Sequence, residues 1–259
     1  MKLNPLLLVL LAGCVDDPTL SDDAELGETA QQVTSTNLNT FTCTTSSPPC
    51  EFNLGTATNR ACFISGIRGG VWFSSINSNG TDFILIVYRP LGGTPATVTT
   101  TCVTPASNVT NTYWNTSFAP SIQIAGTTAS TRCFLAHVAG SGGGLTNYND
   151  SIRTWRDAAG HWFIGGSRQV GYLSARAICF DGATSVGEWS WGQGVPGAIT
   201  GNLASNSGGG VACGLTEIGG MFGINNATND GVFIDFLSGS QQWIWTLKNY
   251  KHGAANCIK

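Results

Sequence analysis

Charge is scarce in this sequence. Asp, Glu, Lys and Arg make up 10% of the 259 residues, against about 25% in an average soluble domain. That poverty excludes the charge-laced helical surfaces on which bundles and coiled coils depend. Histidine occurs three times and methionine twice. No Cys-x-x-Cys pair is present, and the three scattered histidines offer no zinc-ligand spacing. Gly-x-Ser-x-Gly, His-Glu-x-x-His, the phosphate loop and the dinucleotide fingerprint are all missing, so the enzyme classes built on them fall away. From Thr29 onward eleven Lys/Arg face nine Asp/Glu with no basic cluster; a nucleic-acid partner is not implied. The run Leu6–Leu11 is far shorter than the ~20 apolar residues of a spanning helix.

What fills the chain instead is Thr, Ser, Asn and 34 glycines, with 42% apolar residues. Such a composition favours short strands and tight turns, and the apolar share is enough to bury a core. An all-β body is expected. The acids are unevenly spread, because Asp16, Asp17, Asp22, Asp23, Glu25 and Glu28 hold six of the fifteen within thirteen residues. A stretch this acidic and free of aromatics cannot bury enough surface to fold.

Met1-Lys2 and the short apolar run read as a targeting signal. The junction Leu11-Ala12-Gly13-Cys14 resembles a bacterial lipobox, which implies cleavage before Cys14 and acylation of its sulfur. Residues 1–13 would then be a lipoprotein signal peptide and 14–36 a lipidated cysteine with an acidic tether. More than one acyl chain, at about 0.8 kcal/mol per buried CH₂, gives stable membrane attachment. Val15, rather than Asp, after the lipidated cysteine favours delivery to the outer membrane of a bacterial envelope. A membrane contacted through the lipid is thus one expected partner.

Removing Cys14 leaves eight cysteines, an even number that reads as a disulfide framework. Cys62, Cys133 and Cys213 each open a similar phrase: Cys62-Phe63-Ile64 through Gly69, Cys133-Phe134-Leu135 through Gly140, and Cys213-Gly214-Leu215 through Gly220. Each copy closes on a further cysteine, so the register requires Cys62–Cys102, Cys133–Cys179 and Cys213–Cys257, leaving Cys43 and Cys50 to pair locally. Between these cysteines we align the strand led by Asp82 with those led by Asp150 and Asp230. A Trp-bearing strand follows, His161–Ile164 in copy two and Gln242–Trp245 in copy three, with none in copy one. The chain then holds three copies of about 70–80 residues, near 37–102, 103–179 and 180–257, within one domain spanning 37–259. Each is read as a meander of about four strands. A lone meander has open edges, so the copies must pack around a shared axis as a pseudo-threefold β-prism or trefoil-like body.

Candidate chemistry is sparse, and no catalytic group, metal or cofactor is assigned. His137 sits where the other copies carry Gly66 and Glu217, which suggests an exposed strand position. His161 has no paired nucleophile nearby. Glu188 lies beside Trp189 and Trp191, yet no motif sets a second carboxylate near it, as a glycosidase needs. The recurring Asp82, Asp150 and Asp230 read first as turn caps and second as acceptors of sugar hydroxyls. Trp189-Ser190-Trp191 and Trp243-Ile244-Trp245 alternate, so each pair shares a face, and Ser190 suggests that the first pair is half-exposed. With Trp155 and Trp162 these rings form the aromatic candidates for stacking on a glycan. The repeated Cys-Phe-(Ile/Leu) phrase with its terminal cysteine is similar to repeats in secreted bacterial surface proteins. Together these features point to a surface lipoprotein that binds glycans or another envelope component; a structural envelope protein and a secreted glycan hydrolase are the alternatives.

Overall fold

A computed structural model describes residues 33, 35–117, 119–140, 145–169, 171–191, 198–222, 227–249 and 251–259. Cys14, the signal-like segment and the tether as far as residue 32 lie outside the described residues. Each copy supplies six strands, not four. Copy one gives β1 (Ser35–Cys43), β2 (Cys50–Thr56), β3 (Ala61–Gly69), β4 (Phe73–Ser78), β5 (Asp82–Tyr88) and β6 (Ala96–Thr104). Copy two gives β7 (Ser107–Asn115), β8 (Ser121–Gln123), β9 (Arg132–Gly140), β10 (Ser151–Arg156), β11 (Trp162–Ser167) and β12 (Leu173–Asp181). Copy three gives β13 (Ser185–Trp191), β14 (Ala198–Ser205), β15 (Ala212–Gly220), β16 (Gly231–Leu237), β17 (Gln242–Lys248) and β18 (Lys251–Ile258). The two extra strands come from the connectors, whose polar stretches still alternate well enough to pair.

Each copy divides its strands into two triplets, and triplets of neighbouring copies join edge to edge. The result is three six-stranded antiparallel sheets, ordered β1-β6-β3-β16-β17-β14, β2-β5-β4-β9-β12-β7 and β13-β18-β15-β10-β11-β8. Sharing every sheet between two copies covers the inner edge that a separate triplet would leave unpaired. The joining pairs are short and equivalent: Phe73–Ser75 on β4 with β9, Ser151–Arg153 on β10 with β15, and Gly231–Phe233 on β16 with β3.

The disulfides form as the register requires, at Cys62–Cys102, Cys133–Cys179 and Cys213–Cys257, with Cys43–Cys50 closing a local loop. The three long-range bonds link directly opposed residues of neighbouring strands. Closing loops of 40, 46 and 44 residues stabilises the fold by roughly 4 kcal/mol each in the chain-entropy picture. Beside the cysteines, Phe63 and Phe134 stack near the centre of the body, and Phe180 packs against both at 6.2 and 5.9 Å.

Copy one corrects the sequence alignment. Phe83 pairs Ser78 at the head of the β4–β5 hairpin, as Trp162 pairs Arg156 in copy two. The strand led by Asp82 is therefore the counterpart of the Trp strand, with Phe83 in the place of Trp162. The strand equivalent to those after Asp150 and Asp230 is β4, which follows Trp72.

Candidate functional site

The cleft begins where pairing stops. Past Arg153, β10 pairs with β11 alone, so β10 and β15 splay apart and leave a gap. A cleft of about 370 Å³ opens at this splay, lined by Arg153, Trp155, Arg156, Glu188, Ser190 and Glu217, with Ala254 of the neighbouring β18. That is within the range of small-ligand sites.

Ala254 is what keeps the gap open. From β18 it pairs with Glu217 of β15, the position that Arg176 of β12 holds opposite His137 and Thr99 of β6 opposite Gly66. In the second sheet the Arg176 guanidinium crosses the equivalent splay, donating to Ser75 Oγ at 3.0 Å and to the Ile76 carbonyl. Ser190 is likewise the smaller residue, since its counterpart on β7 is Tyr113.

The polar groups of the cleft are individually held. Asn256 donates its amide to Glu188 Oε1 at 3.0 Å, and His252 Nε2 lies 3.6 Å from Glu217 Oε1. Burial pushes the Glu217 carboxyl above its ordinary value, with Arg153 opposing that shift; burial also lowers His252. The Arg153 guanidinium carbon sits 4.6 Å from the Trp155 ring centre, and Trp155 stacks in turn on Phe163 at 5.6 Å. Arg156 donates to the Gly160 carbonyl at 3.1 Å.

The structure brings Trp155, Trp162 and Trp189 to this cleft and places the other candidates elsewhere. Trp162 and Trp243 are buried, their indole N–H groups donating to the carbonyls of Thr131 and Val211 at 3.0 and 3.1 Å. Trp191 is buried too, stacked on Trp245 at 4.4 Å with planes 5° apart. The expected alternation on β13 is present, but it faces the other way. Glu188 and Ser190 are the exposed residues, while Trp191 lies in the core and Trp189 packs against it. On this edge strand the large ring of Trp191 is spent on the neighbouring sheet, where it meets Trp245 of β17.

The three aspartates serve the chain itself. Asp150 is fully buried and accepts three backbone N–H groups, from Thr146, Asn147 and Gln169. Asp82 accepts from the Asn53 amide at 3.0 Å and Asp230 from the Asn249 amide at 2.5 Å. His137, expected on the surface, is 7% exposed. Its Nε2 is 3.1 Å from Ser174 Oγ and its ring packs edge-on to Phe73, because β4 of copy one covers this position. Burial, reinforced by Arg176, lowers it to about 3. His161 is exposed and pairs with Asp157 at 3.3 Å.

Sequence reasoning missed Arg153, Glu217 and Ala254, which no motif joins. Only the repeat register, by setting Ala254 against Arg176, carried a signal. Among the described residues no group of His, Cys, Asp or Glu is arranged to hold a metal ion. Comparison with protein-family models, curated proteins and solved structures found no match.

Proposed function

We propose that this chain is a surface-anchored binding module that takes a glycan in the splay between β10 and β15. One observation carries the reading: at this junction two positions hold Ala254 and Ser190 where the second sheet carries Arg176 and Tyr113. What remains is a concave site where the Trp155 indole lies beside carboxylate, hydroxyl and guanidinium groups, a mixture that suits a sugar's apolar ring face and polar rim. Four disulfides fit an oxidising, extracytoplasmic setting. The lipobox-like Cys14 supplies the anchor in this account.

Two glutamates line the cleft, which raises hydrolysis as a second reading. Glycosidases hold their carboxyls about 5–9.5 Å apart. Both are already engaged by the chain, Glu188 accepting from the Asn256 amide and Glu217 facing His252, and on that ground binding is preferred to cleavage. The test is a glycan array probed with the full chain beside Ser190→Tyr, which copies the residue β7 carries. The wild type should bind a defined set of glycans that the variant loses; absence of binding by the wild type would overturn the reading.

A further inference from the structure

Each of the three sheet junctions carries an arginine, and two of them find an acceptor within the chain. Arg176 is bonded to Ser75 and the Ile76 carbonyl. Arg68 lies 3.5 Å over the Phe233 ring and pairs with Asp235 at 3.4 Å. At the third junction the place of Asp235 is taken by Trp155, two residues beyond the joining residue in each case. Arg153 lies on that indole, and among the described residues no carboxylate comes within ion-pair distance of it. Glu217, its partner across the strands, turns towards His252 instead.

We propose that the ligand is an acidic glycan, whose carboxylate takes the in-chain acceptor's place on Arg153; the proposal rests on the binding reading above. The planar N–H fork of a guanidinium matches a carboxylate in bidentate fashion, and the cation–π contact with Trp155 holds Arg153 at the cleft without consuming those donors. Of the other charges at the cleft, Glu188 is bonded to Asn256, Arg156 to the Gly160 carbonyl, and Glu217 faces His252. Arg156 spends only its Nε in that bond, and Arg153 has no in-chain acceptor among the described residues, so its hydrogen-bonding edge is left to a ligand. The sugar ring then occupies the space above Ala254, with Ser190 and Glu188 within the same cleft for its hydroxyls.

The experiment uses matched probes on one array: uronate- and sialate-containing oligosaccharides, each beside its carboxyl-reduced neutral counterpart, with the full chain and its Arg153→Gln and Arg153→Lys variants. Arg153 is exposed, so both variants should fold, and equal melting temperatures check this. Acidic members should bind at least tenfold more tightly than their reduced partners. Arg153→Gln should abolish that preference, and Arg153→Lys should recover only part of it, since an ammonium keeps the charge but loses the fork. Equal binding of acidic and reduced glycans overturns this inference while leaving the glycan reading standing. Binding to no member of either set overturns both.

Discussion

The ring of Phe63 lies on that of Phe134, centroids 4.1 Å apart and planes 13° from parallel. A strict threefold body would bring a third phenylalanine to the same place, and the equivalent residue is Gly214. A Cβ there would stand 2.3 Å from Phe63 Cδ2 and 2.8 Å from Phe134 Cδ1. The centre has room for two rings, and the glycine is the means by which three copies close.

Gly214→Ala should therefore destabilise the body by about 1–3 kcal/mol or more, the usual cost of overpacking a core. Urea unfolding measures it. An unchanged midpoint would mean that the two rings separate freely.

The Trp191–Trp245 stack makes a second stability prediction. Trp191→Ala should cost about 3–5 kcal/mol, as expected for a buried tryptophan, whereas a ring offered to ligand would leave the melting temperature nearly unchanged.

His137 sets an acid limit. Its folded pKa, about 3, is below the unfolded value near 6.5, so the folded state disfavours the charged ring. Its contribution is complete above pH 6.5 and is lost as pH falls towards 3. At about 1.36 kcal/mol per unit, roughly 3 kcal/mol is gone by pH 4. His137→Gln should unfold with a flatter dependence between pH 7 and 4 than the wild type; parallel profiles would contradict this.

Glu217 acts in the opposite sense. Its folded pKa is raised above 4.5 by burial, so its favourable contribution belongs to acid pH and is lost as pH rises through the folded value. Glu217→Gln should gain stability relative to the wild type at pH 7–8 and show no gain below about pH 4.5. Thermal unfolding across that range checks the sign.

The three copies, their cysteine pairing and the all-β class were legible in the sequence because Cys62, Cys133 and Cys213 open nearly identical phrases. The internal alignment of copy one was not, since Phe83 replaces a tryptophan and its apolar role is invisible to a search for Trp. Face assignment on β13 failed for a related reason. Alternation gives the period of Trp189 and Trp191, but only the layer packed beneath decides which side is inward. The cleft itself depends on where β10 leaves β15, a tertiary event. Arg153 and Glu217 are separated by 64 positions, and no local pattern joins them.

The most direct test of the open junction as the binding site is titration of the full chain and Ala254→Arg with a glycan identified on the array. The second sheet already carries Arg176 at this position, so the frame accepts the side chain, and the melting temperature should stay within a few degrees. Binding should fall by at least tenfold, because the new guanidinium would cross the splay as Arg176 does. A folded Ala254→Arg protein that binds as tightly as the wild type would show that the ligand sits elsewhere.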